Sequence, residues 1–191
     1  MPVAGILISI LIITAFVPPV QAGFIELIKN IAGINFNLTA DYPGKDSPVT
    51  IVPSDTLPLE DVIEDHPFDY PSWAPEGYTL EENVTVSWFP DQDRPVITVT
   101  WIGTDKWHIT LSIHEGINEL VGLTEIETIR FDEKEYALWQ GGWNYDEQVW
   151  DEDIPIRTLS WVFDGLRYDL QAPEYIQVEQ LIQMAESSFP R

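Results

Sequence analysis

The stretch RTLSWVFDGLRYDLQ, from Arg157 to Gln171, carries the strongest folding signal in the chain. Apolar residues alternate with polar ones on both sides of the pair Asp164-Gly165, namely Leu159, Trp161, Phe163, Leu166, Tyr168 and Leu170. Both central residues of a type I′ turn need a positive φ angle, so Asp-Gly between two alternating runs is typical of a two-residue β-hairpin. The sequence therefore predicts an antiparallel hairpin here, and with it an antiparallel sheet.

The same two-residue period begins near Glu82 and defines three further strands. Their apolar positions are Val84, Val86 and Trp88, then Ile97, Val99 and Trp101, then Trp107, Ile109, Leu111 and Ile113. The sequences PDQDRP and GTDK between them have the composition and length of hairpin turns, so an antiparallel meander is predicted. The alternation resumes over residues 125–131 and 135–140, and the sheet is predicted to have about six strands.

Two helices are predicted to flank this sheet. In SDTLPLEDVIEDH, Ser54 or Asp55 is a candidate N-cap for a short helix from about Leu57 to Asp65. A C-terminal helix has the apolar stripe Val178, Leu181, Ile182 and Ala185. The predicted fold is α+β: an antiparallel meander sheet with a short N-terminal helix and a C-terminal helix packed on it, preceded by an N-terminal hydrophobic helix.

Composition and motifs exclude several classes of function. The 191 residues include 9 Lys+Arg and 32 Asp+Glu, a formal net charge of −23, which repels nucleic acid and anionic lipid headgroups. Cysteine is absent, so there are no disulfides, thiolate metal sites or cysteine nucleophiles. The sequence has no Gly-rich phosphate loop, H-E-x-x-H or G-x-S-x-G motif. We expect no enzyme activity, no cofactor and no nucleic-acid partner.

The first residues decide the predicted location. Met1 to Ala22 contains no charged residue, and Pro2 to Val17 is close to the lower length of a membrane-spanning helix. The segment is interpreted either as a membrane anchor or as a secretory signal ending at Val20-Gln21-Ala22. The missing basic flank also fits a cytoplasmic part encoded upstream. Either interpretation predicts contact with the membrane and a body outside the cytoplasm.

The chain is accordingly divided into residues 1–22, an anchor or signal; residues 23–55, an amphipathic helix and linker; and residues 56–191, an extracytoplasmic α+β domain. The helix is predicted from apolar residues at helical spacing between Gly23 and Ile34. The linker, Asn35 to Asp55, is rich in Pro, Gly, Ser and Asp.

Three motifs occur in an order that resembles a bacterial family, domain of unknown function 4367. They are PSWAPEGYTL, LSWVFDGLRYDL and MAESS, and the resemblance covers Leu57 to Ser188. It implies an extracytoplasmic domain behind one membrane span, as in proteins that look like membrane-bound anti-sigma factors. It implies no catalytic residues, and the cytoplasmic domain of such proteins is not encoded in the chain as given.

The segment WQGGWNYDEQVWDEDIP, residues 139–155, is the candidate binding site. Its aromatic residues could stack on sugar rings and its carboxylates could hold calcium through hard oxygen ligands. The candidate ligand-binding residues are Trp139, Trp143, Tyr145, Trp150, Asp151 and Asp153. The alternative is a solvated hairpin loop whose tryptophans pack on the sheet.

Two other groups of residues are given structural roles. His108 and His114 lie six residues apart on one strand, about 20 Å at about 3.3 Å per residue, so they cannot share a metal. In PSWAPEGYTL, Gly77 can take a positive φ angle, and Trp73 and Tyr78 can cover the edge of the sheet.

The sequence therefore predicts a non-enzymatic extracytoplasmic sensor or interaction domain of a membrane-anchored protein, linked to anti-sigma-type signalling through the resemblance. Its partner is an unidentified protein or small molecule. Two alternatives stay open. One is a half-barrel carrier for a lipid or lipoprotein, suggested by the aromatic strand positions, and the other is a calcium- or carbohydrate-binding module.

Overall fold

The computed structural model describes residues 27–39, 52–90, 92–104, 107–122, 125–144 and 149–189. The helices of these residues are α1 (Leu59–Asp65) and α2 (Val178–Glu186). The strands are β1 (Leu27–Ile31), β2 (Ile34–Thr39), β3 (Ser54–Pro58), β4 (Tyr78–Leu80), β5 (Asn83–Ser87), β6 (Val96–Gly103), β7 (His108–His114), β8 (Asn118–Gly122), β9 (Glu127–Phe131), β10 (Lys134–Gln140), β11 (Gly142–Asn144), β12 (Val149–Asp151), β13 (Ile156–Phe163) and β14 (Leu166–Pro173).

A nine-stranded antiparallel sheet is the largest element. Its spatial order is β3-β5-β6-β7-β14-β13-β10-β9, with β4 paired to β6. The predicted antiparallel sheet with two helices is confirmed, but the predicted number of about six strands is too low. The short edge strands β3 and β4 were missed, and all five residues of β3 are exposed. A fully exposed strand has no buried face, so it leaves no alternation in the sequence.

The predicted meander is confirmed for β5, β6 and β7, which are neighbours in chain order. The order then changes, because β7 pairs with β14 rather than with the next strand in the chain. The hairpin β13–β14 thus joins the meander on one side to the hairpin β9–β10 on the other.

Three two-residue turns with positive φ angles shape the hairpins. They are Ala32-Gly33 (55° and 81°), Asp132-Glu133 (45° and 69°) and Asp164-Gly165 (49° and 76°). Positive φ at both central positions is the signature of the type I′ turn, whose twist matches that of the strands. The predicted Asp-Gly hairpin is confirmed, with Phe163 opposite Leu166.

The predicted amphipathic helix is wrong for residues 27–34. These residues form β1, the turn Ala32-Gly33 and the start of β2, a hairpin in which Ile31 pairs with Ile34. Burial alternates along β2, where Ile34, Phe36 and Leu38 are inside. This two-residue period crosses the predicted boundary between helix and linker, so neither segment showed it alone. Residues 23–26 lie outside the described residues.

Both helices are present, although the first starts later than predicted. The N-cap of α1 is Pro58 without a side-chain cap, whereas Ser54 and Asp55 lie in β3. The predicted cap is therefore wrong, because β3 pairs with β5 up to Pro58 and opposes Ser54 to Ser87. Helix α2 begins with a capping box between Gln177 and Gln180.

The two faces of the sheet support two hydrophobic cores. The first core holds residues of both helices together with Trp101, Tyr136, Trp161 and Tyr168 of the strands. The second core lies on the other face, where the β1–β2 hairpin packs on β10. Its buried residues are Ile31, Ile34, Phe36, Leu38, Ile126, Ala137 and Trp139. Successive residues of a strand face opposite sides, which explains why Leu138 joins the first core and Trp139 the second.

The segment before β4 has the structural role predicted for it. Gly77 has a φ angle of 89°, and the Tyr78 N–H donates to the Pro75 carbonyl at 3.2 Å. Trp73 and Tyr78 are partly buried against the first core. The turn thus directs the chain into β4, which pairs with β6.

No helix within the described ranges is long and apolar enough to cross a membrane. The predicted anchor or signal, residues 1–22, lies outside those ranges and stays a prediction.

A buried polar cluster forms on the second face, around Asp169. Arg167 is 1% exposed, and its Nε donates to Asp169 Oδ1 at 2.9 Å. The buried Ser160 hydroxyl donates to the same oxygen, and His114 Nε2 lies 2.9 Å from Asp169 Oδ2. The Gly116 N–H donates to His114 Nδ1, which leaves Nε2 as the donor to the carboxylate. His114 thus has a structural role, as predicted.

This cluster makes the stability of the fold depend on pH. Burial alone would raise the pKa of Asp169, but the hydrogen bond from His114 and the charge of Arg167 outweigh it and hold the pKa below its ordinary value. A carboxylate with a depressed pKa stabilises the folded state above the unfolded-state pKa of about 3.9, and this contribution disappears as the pH falls through the folded-state pKa.

We predict that Asp169→Asn lowers the free energy of unfolding at pH 7 by about 3–5 kcal/mol, because it leaves the Arg167 guanidinium buried without its charge partner. The difference from wild type should narrow below about pH 4, where the unfolded-state carboxylate is protonated while the folded-state carboxylate, with its lowered pKa, is still ionised. Urea unfolding at several pH values measures the loss of unfolding free energy and its dependence on pH. Asp164→Asn, in an exposed turn, is the matched control and should change stability by less than about 0.5 kcal/mol. Equal stability of the two variants would contradict the role given to Asp169.

The turn Asp132-Glu133 offers a second test. Glu133 holds a φ angle of 69° without being glycine. Glu133→Gly is expected to raise the free energy of unfolding by about 0.5–1 kcal/mol by relieving this strain. Glu152→Gly, in an exposed turn where φ is not positive, should give no gain. Thermal unfolding compares them, and equal effects would show that the turn is unstrained.

Candidate ligand-binding groove

The main sheet opens into a fork between β10 and β13. Their ladder runs from Gln140–Arg157 to Ala137–Ser160 and ends there. Both strands continue for three more residues, to Lys134 and Phe163. Over these residues β10 stays paired with β9, and β13 stays paired with β14. Two hairpins therefore separate from each other at one end of the sheet.

The fork leaves three opposed pairs of residues outside the ladder, and one of these pairs has backbone groups that face the fork. Continuing the register would place Glu135 opposite Val162. In a two-residue hairpin the pair beside the turn exchanges both hydrogen bonds, so the backbone groups of Lys134 and Phe163 face β9 and β14. Those of Glu135 and Val162 face the opposite side, into the fork, where each contributes one N–H and one carbonyl.

A groove of about 490 Å³ occupies the fork. It is lined by Ala32, Gly33, Lys134, Glu135, Tyr136, Trp161, Val162, Phe163 and Phe189. Four of these nine residues are aromatic, and two others bring a charge to the rim. The size and the mostly apolar lining are typical of small-ligand or short-segment binding sites.

Trp161, one of the residues that line the groove, has a buried side-chain donor without an acceptor. Trp161 is 2% exposed, and its indole Nε1 has no hydrogen-bond partner. The ring is held rigidly: it stacks on Tyr168 at 5.3 Å between ring centroids and meets Tyr136 edge-on at 6.0 Å. A buried donor left unpaired costs about 1–3 kcal/mol. An acceptor that reached this N–H would recover that free energy.

The groove is bordered by a network at the end of α2. The Tyr136 hydroxyl donates to Glu186, and Lys134 Nζ donates to the same carboxylate at 2.6 Å. Lys134 Nζ also lies 3.5 Å from the centroid of the Phe189 ring, which packs edge-on against Phe163. Burial and the contact with Glu186 raise the pKa of Tyr136, so its hydroxyl remains a donor at all physiological pH values.

The turn Ala32-Gly33 covers the other side of the groove. The Ala32 N–H donates to Glu135 Oε2 at 3.0 Å, and this bond lowers the pKa of Glu135. Gly33 lies so close to Val162 that a Cβ at this position would meet the Val162 side chain at 3.5 Å. The hairpin tips Ala32-Gly33, Asp132-Glu133 and Asp164-Gly165 thus converge at one end of the sheet, around the fork.

The predicted binding residues lie elsewhere. Trp139 is 6% exposed and packs edge-on against Phe36 in the second core, at 5.1 Å between centroids. Trp150 is partly buried against the same core. Asp151 accepts the Asp153 N–H at 2.9 Å, a bond that shapes the turn. Tyr145 and the side chain of Trp143 are outside the described part. The structure therefore places Trp139 and Trp150 beside Phe36 and its neighbours, and ligand binding by the six residues stays a prediction.

No group of three or more His, Asp or Glu side chains within the described ranges is arranged to hold a metal ion. Comparisons with models of protein families, with curated proteins and with solved structures found no match. The resemblance to domain of unknown function 4367 is therefore untested by them and stays a prediction.

The sequence pattern predicted the strands that build the groove but not the groove itself. Trp161 and Phe163 read as inward positions of a strand, and Tyr136 lies in a segment with the same period. The available signal was the pair of neighbouring hairpins with turns Asp132-Glu133 and Asp164-Gly165. Only the sheet order shows that these turns lie side by side.

Proposed function

We propose that this protein is a non-enzymatic binding domain, a sensor or interaction module, and that the fork groove is its binding site. The observation that carries the proposal is the Trp161 indole N–H, which is buried at the groove without an acceptor. Native structures keep few such groups, and each of them calls for an explanation. An acceptor oxygen on a bound ligand would satisfy the indole donor.

The lining defines the ligand. Tyr136, Trp161, Phe163 and Phe189 favour a flat or branched apolar body. The charge of Lys134 is already matched by Glu186 at 2.6 Å, so the groove presents no free cation to an acidic ligand. A strongly acidic protein also repels anions. The ligand that fits is apolar, carries no negative charge and presents one oxygen acceptor to the Trp161 N–H.

The groove is favoured over the two alternatives for specific reasons. In a lipid carrier, the aromatic strand positions would line an open half-barrel, whereas Trp101, Trp161 and Tyr168 are buried in the first core beneath the helices. In a carbohydrate module, Trp139 would stack on sugar, whereas it is buried against Phe36.

The proposed location is outside the cytoplasm, behind an anchor or signal in residues 1–22. Support comes from the sequence, in which this segment has no charge and the rest is strongly acidic. The link to anti-sigma-type signalling rests on the family resemblance alone.

The groove is tested with Nile red, a neutral, flat dye with a carbonyl acceptor. We expect saturable binding to the full chain, and Trp161→Phe should weaken it about 5- to 10-fold, as loss of one hydrogen bond of about 1–1.5 kcal/mol predicts. Trp101→Phe is the matched control: Trp101 is also 2% exposed but lies on β6. Equal affinity of wild type and Trp161→Phe, or no saturable binding, would contradict the proposal.

The location is tested by fractionating cells that express the native gene. The chain should be found in the membrane fraction or outside the cell, and added protease should digest it in intact spheroplasts. Recovery of the protein wholly in the cytosol would refute the proposed location without affecting the groove.

A further inference from the structure

We infer that the fork groove binds an extended segment of a partner protein as an inserted β-strand, with an apolar centre and basic flanks. This inference rests on the proposed function and names the class of ligand. It follows from three features of the fork: its open backbone groups, its dimensions and the charges at its mouth.

The first feature is the set of backbone N–H and carbonyl groups that face the fork. Glu135 and Val162 each direct an N–H and a carbonyl into the fork, outside the ladder that ends at Ala137–Ser160. An extended peptide carries donors and acceptors at the spacing that these strand edges require. A ligand with one oxygen atom would satisfy the Trp161 N–H but not these groups. A peptide can satisfy both, because it has several carbonyls.

The dimensions agree with a short segment. Each strand runs three residues beyond the ladder, about 10 Å at about 3.3 Å per residue, so roughly three residues of a partner strand would enter. The groove of about 490 Å³ offers its aromatic walls to the side chains of these residues. β-branched residues suit such a position, because they pack well on a pleated surface.

The charges at the open end of the fork determine which residues should flank the apolar centre of the bound segment. The tips of the two separating hairpins carry the exposed acids Asp132, Glu133 and Asp164. Lys134 is engaged by Glu186, so it does not cancel them. This protein has a formal net charge of −23. It therefore attracts a segment with lysine or arginine on both sides of an apolar centre, and it repels an acidic segment.

The test uses the full ¹⁵N-labelled chain and the peptide acetyl-Lys-Val-Ile-Val-Lys-amide. Its matched control is the same peptide with the central amide N-methylated, which removes one donor and blocks strand pairing. We expect the amide resonances of Glu135 and Val162 and the Trp161 indole resonance to shift on binding, and the two amides to gain protection from hydrogen exchange. The unmethylated peptide should bind at least about tenfold more tightly. A peptide with glutamate in place of both lysines should bind more weakly still.

The outcomes separate the two proposals. Equal binding of the methylated and unmethylated peptides, or shifts that leave Glu135 and Val162 unchanged, would overturn strand insertion. Nile red binding together with failure of all peptides would overturn it as well, while leaving the groove as a small-molecule site. Failure of both the dye and the peptides would overturn the binding function itself.

Discussion

The pairing of β13 with β14 is the interaction on which the rest of the structure depends. This hairpin lies in the middle of the main sheet and joins the β5–β6–β7 meander to the β9–β10 hairpin. Its register opposes Trp161 to Tyr168 on one face and Ser160 to Asp169 on the other. A slip of one residue would turn the polar side chains toward the helices and the aromatic rings toward the second face. The turn Asp164-Gly165 sets the register and therefore places the aromatic side chains on one face and the polar side chains on the other.

The two faces use these side chains in different ways. On the first face, Trp161 and Tyr168 stack and fill the core beneath the helices. On the second, Asp169 gathers Arg167, Ser160 and His114 into a cluster in which the carboxylate accepts several hydrogen bonds. Arg167 Nη1 also donates to the Asn118 carbonyl at 3.5 Å, which ties the small sheet of β1, β2 and β8 to the main sheet. Burying charges is unfavourable unless they are paired, so this junction depends on the complete cluster.

Sequence patterns predicted the parts of the fold that depend on local chemistry. The Asp164-Gly165 turn and the alternation of β5, β6 and β7 specify hairpins without reference to distant residues, and both were found as predicted. The β1–β2 hairpin was mistaken for a helix because Ile28, Ile31 and Ala32 also satisfy a helical period. Its strands are stabilised by packing on Ala137 and Trp139, about a hundred residues later. Sheet order also depends on long-range pairing, so the fork between β10 and β13 could not be predicted.

The proposed binding function accounts for the open fork, which packing alone does not explain. Closing it would pair the backbone groups of Glu135 and Val162, and each buried hydrogen bond would stabilise the fold by about 0.5–1.5 kcal/mol. The structure instead holds the fork open from two sides: the turn Ala32-Gly33 is bonded to the Glu135 carboxylate, and Lys134 reaches the end of α2. The buried N–H of Trp161, a residue that lines this groove, has no acceptor. The Trp161 N–H and the backbone groups of Glu135 and Val162 thus lie at one end of the sheet, whereas the buried charges of Arg167 and Asp169 are paired with each other. Under the proposed function, a bound segment supplies the hydrogen-bond partners of the backbone groups that face the fork.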